Sequence, residues 1–411
     1  MSRTGEALTR TSETMKILAA GLLLLVSCKA GQPAERYGFV ALLGRDTVSI
    51  ESVTRHPDKL ISDEVDRFPK LRRRHTEIDL DDNGAITRLV MDIHTPGEPE
   101  NQRDRRVEAE VTNDTVRLTK KDGTGTRRYT FASGGDIAMP HLPQMYSLYE
   151  LYFDAALKRA ATANGGSGDR IQMRQFYIDR EFDRFPLHRG YVTPRPNGKA
   201  EIRHDWLSGT GEATLDSDNR LLRYSGAGTT YKVEVRRVNE QPDVKAIAAR
   251  FAAIEANTGA AKALSPRDTT RSSVGSATFE IDYGRPLTRG RSLLGEVIQY
   301  GSVWRTGANA ATQFTTSAPI TLAGLAVPAG KYTLWTIPRE GGVELVVNKQ
   351  TGQWGTGYNP AHDLGRAAMA TDSSTTPVEA FTISIRSESD RRGTLVMEWG
   401  SFRWSAPIVV Q

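Results

Sequence analysis

The sequence predicts a mainly β protein: an N-terminal curved antiparallel sheet with one packed helix, a short helical linker and a C-terminal β-sandwich resembling a jelly roll. The chain has 411 residues, and a single core stops growing near about 250–300 residues, so two domains are expected. Short β-branched or alternating segments are separated by turn sequences such as Asp82-Asn83-Gly84 and Lys121-Asp122-Gly123, whose residues accept positive φ. Helical spacing of apolar residues occurs once inside the first domain and once between the domains.

The first domain is predicted over 36–238 as a meander of short antiparallel strands. Its helix is predicted over 144–161, where Met145, Leu148 and Tyr152 recur at helical spacing. The apolar stripe of this helix should cover one face of the sheet. Such an arrangement is similar in architecture, without a shared motif, to the half-barrel carriers of the bacterial envelope.

The second domain follows a predicted helical linker over 239–274. Pro242 opens a helical pattern in this linker, which then becomes rich in small and polar residues. The sandwich domain is predicted over 275–411. From Phe381 to Ile385 apolar and polar residues alternate, which predicts a strand with one buried face and one solvated face.

The N-terminus has the pattern of a bacterial export signal. Lys16 precedes an apolar run from Ile17 to Val26, which is too short to span a bilayer and is followed by small residues. Leu25-Val26-Ser27-Cys28 resembles the lipobox of bacterial lipoproteins, which implies cleavage before Cys28 and attachment of acyl chains. Cys28 is the only cysteine, so it has no partner for an internal disulfide or a thiolate metal site.

This resemblance predicts a lipid-anchored protein of the bacterial cell envelope, with the membrane as partner of the N-terminal lipid. The expected segments are a signal peptide over 1–27 and a tether over 28–35. Lys29 is not the aspartate of inner-membrane retention, which favours the outer membrane, facing the periplasm or the cell surface. An ordinary signal peptide with a chance cysteine is the alternative, and the start at Met1 or Met15 stays open.

Charge patterning argues against nucleic-acid binding. The formal net charge is +5, and basic and acidic residues are interleaved along most of the chain, which is typical of solvated strand faces. The densest basic cluster is Arg72-Arg73-Arg74-His75. We interpret it as a solvated strand face in preference to a phosphate-binding patch.

Short motifs in the last third of the chain are similar to one known family. They are Tyr283-Gly284-Arg285-Pro286, Gly290-Arg291, Val303-Trp304-Arg305-Thr306-Gly307-Ala308-Asn309, Val327-Pro328-Ala329-Gly330-Lys331-Tyr332, Asn348-Lys349 and Gln353-Trp354-Gly355. In order and spacing they resemble the domain of unknown function family 2911 across 276–411. The resemblance implies an exported bacterial β domain and carries no established activity.

The same motifs supply the candidate ligand-binding residues. Guanidinium and amide groups bind carboxylate or phosphate, and indole faces stack on flat ligands. The candidates are Arg285, Arg291, Trp304, Arg305, Asn309, Asn348, Gln353 and Trp354. Together they would take a small polar, anionic or glycan-like ligand, or an envelope partner protein, with the loop from Trp304 to Asn309 as the preferred surface. The alternative is that the arginines bond loop carbonyls or acids and the tryptophans fill the core.

Catalysis is the less favoured hypothesis. The seven histidines are scattered and form no zinc-binding motif, and the chain has no nucleophile elbow, Walker loop or dinucleotide fingerprint. We therefore predict no cofactor and no metal site. The alternative function is a hydrolase of cell-wall or extracellular carbohydrate, in which Asp282, Glu296 or Asp363 would lie about 5–10 Å from a second carboxylate.

Overall fold

The structure is a computed structural model that describes residues 33–162, 169–178, 187–205, 207–258 and 263–411. These residues form two large sheets and a few helices, which confirms the predicted mainly β fold class. The predicted signal peptide and its lipidation site at Cys28 lie outside the described residues. No helix in the described ranges combines the length and the hydropathy needed to cross a membrane.

The first sheet is built from fifteen strands within the described ranges. Their bounds are β1 Glu35–Leu43, β2 Asp46–Arg55, β3 Lys59–Asp66, β4 Arg72–Leu80, β5 Ile86–His94, β6 Asp104–Val111, β7 Thr115–Asp122, β8 Gly125–Ala132, β9 Ile137–His141, β10 Ile171–Tyr177, β11 His188–Arg195, β12 Lys199–His204, β13 Leu207–Leu215, β14 Leu221–Ser225 and β15 Glu234–Val238. Two helices interrupt them, α1 Glu100–Arg103 and α2 Tyr146–Thr162.

The first sheet curves round helix α2. Its order runs from β8 down to β1 and then from β15 down to β9, and neighbours are antiparallel except β9 and β10. Helix α2 contacts β2, β9, β10, β11 and β14, which lie far apart in that order. The helix is buried on every side from Tyr146 to Ala156, including the charged Glu150 and Asp154. The helix therefore packs inside the curved sheet as predicted, but it is buried on all sides over this range and not along one apolar stripe alone, because the sheet encloses it.

The basic cluster at the start of β4 divides between the two faces of the sheet. Arg74 is fully buried, and its Nη1 lies 2.5 Å from Glu64 Oε2 and 2.6 Å from Asp66 Oδ2. Burial raises the pKa of Glu64, and the nearby Arg74 guanidinium opposes that shift. The interpretation of Arg72 to His75 as a solvated face is wrong for Arg74, because strand alternation directs every second side chain into the enclosed side.

Glu51, on β2, caps the N-terminus of α2. Its Oε2 accepts the backbone N–H of Ser147 at 3.1 Å, and its Oε1 accepts that of Tyr146. Ser62 Oγ donates to the same carboxylate at 3.3 Å. These hydrogen bonds favour the ionised form, yet burial away from water outweighs them and raises the pKa of Glu51 to about 7.

Glu51 should make the stability of the protein depend on pH. Its folded-state pKa of about 7 exceeds the ordinary value of 4.5, so the folded state holds more protons between these values and stability falls as pH rises through this window. Glu51→Gln removes the titrating group and keeps an acceptor oxygen. As pH rises through this window, the unfolding free energy of this variant should therefore fall by roughly 3 kcal/mol less than that of the wild type. Urea unfolding followed by far-UV circular dichroism across the window measures it.

The control for this experiment is Glu110→Gln. Glu110 is exposed on β6, so its replacement should leave the pH dependence of the wild type unchanged. If Glu51→Gln and the wild type lose the same free energy between the two pH values, Glu51 does not titrate as proposed.

The second sheet contains nine strands of the described chain. Their bounds are β16 Arg267–Val274, β17 Ala277–Gly284, β18 Thr312–Thr316, β19 Ile320–Leu322, β20 Leu325–Val327, β21 Gly330–Arg339, β22 Gly342–Asn348, β23 Asp363–Ser387 and β24 Arg392–Val410, with a 3₁₀ turn at Pro360–His362. The strand order is β16-β17-β18-β21-β22-β23-β24-β19-β20.

Strand β23 connects the two halves of this second sheet. Its first part, up to Met369, pairs with β22, and its remainder from Ala370 pairs with β24. Thr270 Oγ1, on the edge strand β16, donates to the carbonyl of Ile383 at 3.0 Å. The edge of one half therefore packs against the other half, and one apolar core lies between the two layers.

The segment between the sheets is shorter than the predicted linker over 239–274. Helix α3 (Val244–Thr258) packs on β2 and β3. Arg267–Val274, predicted as part of the linker, instead form β16 and pair with β17 along their whole length. The alternation in this strand is hard to recognise because Val274 is its only buried residue.

The two sheets meet at the turn between β1 and β2. The backbone N–H of Arg45 donates to the carbonyl of Arg289 at 2.9 Å, and Asp46 pairs with the Arg289 side chain. Gly44 has φ +60°, and a Cβ at this position would overlap the Arg289 carbonyl. A glycine is therefore required where the turn touches the second sheet.

Candidate functional site

Arg285 and Arg291 have structural partners. Arg285 Nη1 pairs with Asp268 Oδ2 at 2.9 Å, and its Nε donates to the carbonyl of Phe381 at 3.0 Å. Arg291 donates through Nε to the carbonyl of Thr288 at 3.0 Å. Neither guanidinium joins the loop from Trp304 to Asn309 through these contacts, so the alternative interpretation of structural arginines applies to both.

Trp304 belongs to the core of the second sheet. Its ring lies parallel to that of Trp399, with centroids 6.0 Å apart and an interplanar angle of 7°, and meets the ring of Phe381 edge-on at 5.0 Å. Its backbone exchanges hydrogen bonds with Thr336 on β21, at 2.8 and 3.0 Å. Trp304 therefore anchors the following loop, and its indole ring packs in the core.

Asn348 is also structural. It is fully buried at the end of β22, and its Nδ2 donates to the carbonyl of Asn359 at 2.9 Å and to Asp363 Oδ1 at 2.8 Å. Its Oδ1 accepts the backbone N–H of Gln350 at 2.9 Å. These three bonds use its amide to hold the segment that follows β22.

Gln353 attaches this segment to the second sheet. Its Nε2 donates to Thr333 Oγ1 at 3.1 Å, and its carbonyl accepts the backbone N–H of Ala311 at 3.2 Å. Gly352 is held in turn by a hydrogen bond from its N–H to Gln313 Oε1 at 3.1 Å. The segment around Trp354 is thus a docked loop whose position is set by β18 and β21.

Arg305, Asn309 and Trp354 come together at the surface, and we call these three residues the Arg305 loop site. The Asn309 carbonyl accepts the backbone N–H of Gly355 at 2.9 Å and Arg305 Nη1 at 3.4 Å. Ala310 and Trp354 form an isolated antiparallel bridge. These backbone contacts hold together two loops that are far apart in the chain. The Trp354 side chain beside them is 57% exposed.

The shape of the loop depends on unusual backbone angles. Thr306 and Asn309 have φ of +51° and +63°, a region that non-glycine residues rarely adopt. Thr306 is fully buried, and its carbonyl accepts Thr312 Oγ1 at 2.6 Å. The strained turn is therefore held from the inside by the sheet, while Asn309 is presented to solvent.

Gly355 shapes the Arg305 loop site from beside it, although it is not among the candidate residues predicted from the sequence. A Cβ at position 355 would overlap Cδ of Arg305 and the carbonyl of Asn309. Only glycine therefore lets the Arg305 side chain lie against the neighbouring loop. Its place directly after Trp354 in the motif Gln353-Trp354-Gly355 was the available signal.

The charge of Arg305 is not balanced by an acid in the described part of the chain. No carboxylate oxygen there lies within 4.0 Å of its guanidinium, in contrast to Arg285 and Arg366. Burial lowers the pKa of Arg305 below its ordinary value, and no charged neighbour offsets this shift. A half-buried cation without a counter-charge, next to an exposed indole, is suited to bind an anion.

The carboxylates of the hydrolase alternative have their own partners or lie in the open. Asp282 pairs with Arg267 Nε at 2.7 Å. Asp363 accepts Tyr358 Oη at 2.7 Å through the same side chain that holds Asn348, and Glu296 is exposed. These contacts give the two aspartates structural roles.

Comparisons with known proteins agree with the motif resemblance. The family model for a protein of unknown function, DUF2911, matches residues 265–408, which begin just before β16. No curated protein matches the sequence.

Two solved structures are similar to this chain at low identity. One is a DUF1089 family protein from Pseudomonas aeruginosa, with 12% identity, a TM-score of 0.34 and coverage of 45% of this chain and 93% of that chain. The other is a β-barrel-like protein of the domain of unknown function DUF1849 from Brucella abortus, with 13% identity, a TM-score of 0.27 and coverage of 50% and 95%.

Proposed function

We propose that the second domain binds a small ligand that carries a carboxylate on a sugar-like ring, and that the Arg305 loop site is where it binds. The observation that carries the proposal is the half-buried Arg305 guanidinium, which has no acidic partner in the described residues. A carboxylate would supply the missing counter-charge in the bidentate geometry that a guanidinium prefers.

Trp354 and Asn309 define the rest of the ligand. The indole of Trp354 is large, rigid and more than half exposed, and such a face packs well on the flat, apolar side of a ring. Asn309 is exposed next to it and offers an amide donor and acceptor for hydroxyl groups. An acidic sugar offers a carboxylate to Arg305, a ring face to Trp354 and hydroxyl groups to Asn309. A neutral sugar lacks the carboxylate.

The test is a titration of the protein with D-glucuronate, followed by tryptophan emission and calorimetry. We expect D-glucuronate to bind more tightly than D-glucose, because only the former neutralises Arg305. Arg305→Ala should weaken D-glucuronate binding by about tenfold or more, since a hydrogen bond to a charged group contributes about 1.5–3 kcal/mol. Trp354→Ala should weaken both sugars.

The matched control is Arg392→Ala, which removes the same charge from an exposed position at the start of β24. Its affinity for D-glucuronate should equal that of the wild type. Equal affinity for the two sugars, or an Arg305→Ala variant that binds D-glucuronate as well as the wild type, would remove Arg305 from the proposed role.

We further propose that this domain is held at the bacterial envelope by acyl chains on Cys28. The support is the lipobox-like Leu25-Val26-Ser27-Cys28 after an apolar run, and two or more acyl chains anchor a protein stably. Mass spectrometry of the N-terminal peptide from native cells tests this proposal, because an unmodified Cys28 or an uncleaved leader would contradict it.

A further inference from the structure

The outer face of the first sheet carries two rows of charge across β12 to β15. These strands direct alternate side chains, among them Ile202, Ala213 and Val235, into the enclosed core, so the intervening side chains point outward. The register brings outward basic residues into one line and outward acidic residues into the next. We call these lines the basic row (Lys199, Arg223 and Arg236) and the acidic row (Glu201, Glu212 and Glu234).

The basic row crosses all four strands. Lys199 on β12 lies opposite Thr214 on β13, which lies opposite Arg223 on β14. Arg223 in turn lies opposite Arg236 on β15. All three cations are exposed. Within the described ranges none of them has a carboxylate oxygen within 4.0 Å, in contrast to Arg237 on the inner face of β15.

Two cations of the basic row repel each other. Arg223 and Arg236 occupy directly opposed positions of neighbouring strands, and like charges placed in this way destabilise a sheet. An anionic surface laid over the row would replace part of this repulsion by attraction.

The acidic row lies two positions away along each strand. Glu201 on β12 lies opposite Glu212 on β13, and Ser225 on β14 lies opposite Glu234 on β15. Part of this row is satisfied within the fold. Glu201 Oε2 pairs with Arg195 Nη2 at 2.7 Å, and Ser225 Oγ donates to Glu234 Oε1 at 2.6 Å. The two signs are therefore separated on this face.

The basic row lies on the side of the tether. Glu35, where β1 begins, is seven positions after Cys28, and an extended chain of this length spans at most about 25 Å. Arg236 lies opposite Val40 on β1, and the acidic row pairs two positions further from the start of that strand. From Glu35 to Val40 the strand rises only about 17 Å. A lipid on Cys28 would therefore hold the basic row within reach of the bilayer.

We infer that the basic row docks the first sheet on an anionic bilayer, with its cations among the lipid phosphate groups. Lysine and arginine are attracted to such a surface, and Leu222, next to Arg223 and 37% exposed, adds an apolar contact. The acidic row, further from the tether, favours one orientation of the sheet. The argument from reach rests on the proposed anchor at Cys28, whereas the contact with headgroups is separate from the Arg305 loop site.

The test is co-sedimentation of the full chain with vesicles of phosphatidylcholine that contain or lack phosphatidylglycerol. All proteins carry Cys28→Ser, so that no acyl chain contributes and failure of the anchor proposal does not affect the result. We expect binding to the anionic vesicles to exceed binding to the neutral ones. Arg223→Gln with Arg236→Gln should weaken binding to the anionic vesicles by about tenfold or more.

The matched control is Lys331→Gln with Arg392→Gln. It removes the same charge from two exposed positions of the second sheet, and its binding to anionic vesicles should stay within about twofold of the wild type. Equal binding to the two kinds of vesicle, or equal losses in the two double variants, would overturn the inference.

Salt supplies a measurement that needs no variant and so stands even if the row variant fails the check of folding by circular dichroism. Raising NaCl from about 0.1 M to about 1 M shortens the Debye length from about 10 Å to about 3 Å. The wild type should then leave the anionic vesicles. Undiminished binding at the higher concentration would contradict docking by charge.

Two further measurements separate a bilayer from other occupants of this face. A DNA oligonucleotide whose binding falls as much in the row variant as vesicle binding does would identify a general polyanion surface. A wild type that sediments as a dimer, with a monomeric row variant, would identify an interface between two copies of the chain. Either result would overturn the assignment to lipid.

Discussion

Glu150→Ala should lower the free energy of unfolding of the first sheet by roughly 3–5 kcal/mol, the loss expected when one partner of a buried ion pair is removed. Glu150 is fully buried on α2. Its carboxylate lies 3.4 Å from Arg55 Nη1 and 3.1 Å from Arg237 Nη1. It also accepts the hydroxyl of Tyr37 and the backbone N–H of Leu221. Alanine would leave two guanidinium groups and two donors without these bonds.

Urea unfolding followed by far-UV circular dichroism measures this loss, with two variants for comparison. Glu150→Gln keeps an acceptor for Tyr37 and removes the charge, so it should fall between alanine and the wild type. Glu240→Ala, at an exposed position after β15, should change the unfolding free energy by less than about 1 kcal/mol. A Glu150→Ala variant as stable as the Glu240→Ala control would contradict the importance of the buried network.

Phe381→Ala should destabilise the second sheet by roughly 3–5 kcal/mol, which is typical of a phenylalanine removed from a core. Phe381 is fully buried on β23, and its ring contacts those of Tyr283, Trp304 and Trp399 at centroid distances of 5.9, 5.0 and 6.1 Å. The strand joins the two layers, so a cavity here loosens the contact between them. Tyr283 would lose its edge-on partner.

Tryptophan emission during urea unfolding reports this effect. Most tryptophans of the chain lie in the second domain, namely Trp304, Trp335, Trp354, Trp399 and Trp404. Tyr300→Ala is the control, because this side chain is 43% exposed and its loss should cost less than about 1 kcal/mol. A Phe381→Ala variant with an unfolding midpoint equal to that of Tyr300→Ala would show that the two layers do not depend on this ring.

The fold class was accessible from the sequence because strand signals are local. Alternation of side chains and turn residues with positive φ are properties of adjacent positions. The sequence does not predict Arg267–Val274 as a strand, because only one of their side chains is buried. Their pairing with β17 depends on backbone hydrogen bonds, which leave no alternation of apolar and polar residues in the sequence.

The candidate site was accessible only in part. The motifs identified Arg305, Asn309 and Trp354, which the structure brings together, along with Arg285, Arg291, Trp304, Asn348 and Gln353, which it uses for packing or for holding loops. Residue type alone does not separate these groups. An arginine that pairs with an acid, such as Arg285, and an arginine that has no acidic partner, such as Arg305, look the same in a sequence.

By itself, the sequence determined that the chain is mainly β, that its last third carries the motifs of one family, and which residue types are available there. Tertiary structure alone decided that α2 is buried on all sides from Tyr146 to Ala156, that Arg74 and Glu150 are buried charges, and that Arg305 has no counter-ion in the described chain. The physical reason is that periodicity depends on neighbours along the chain, whereas burial and charge balance depend on groups that distant strands bring together.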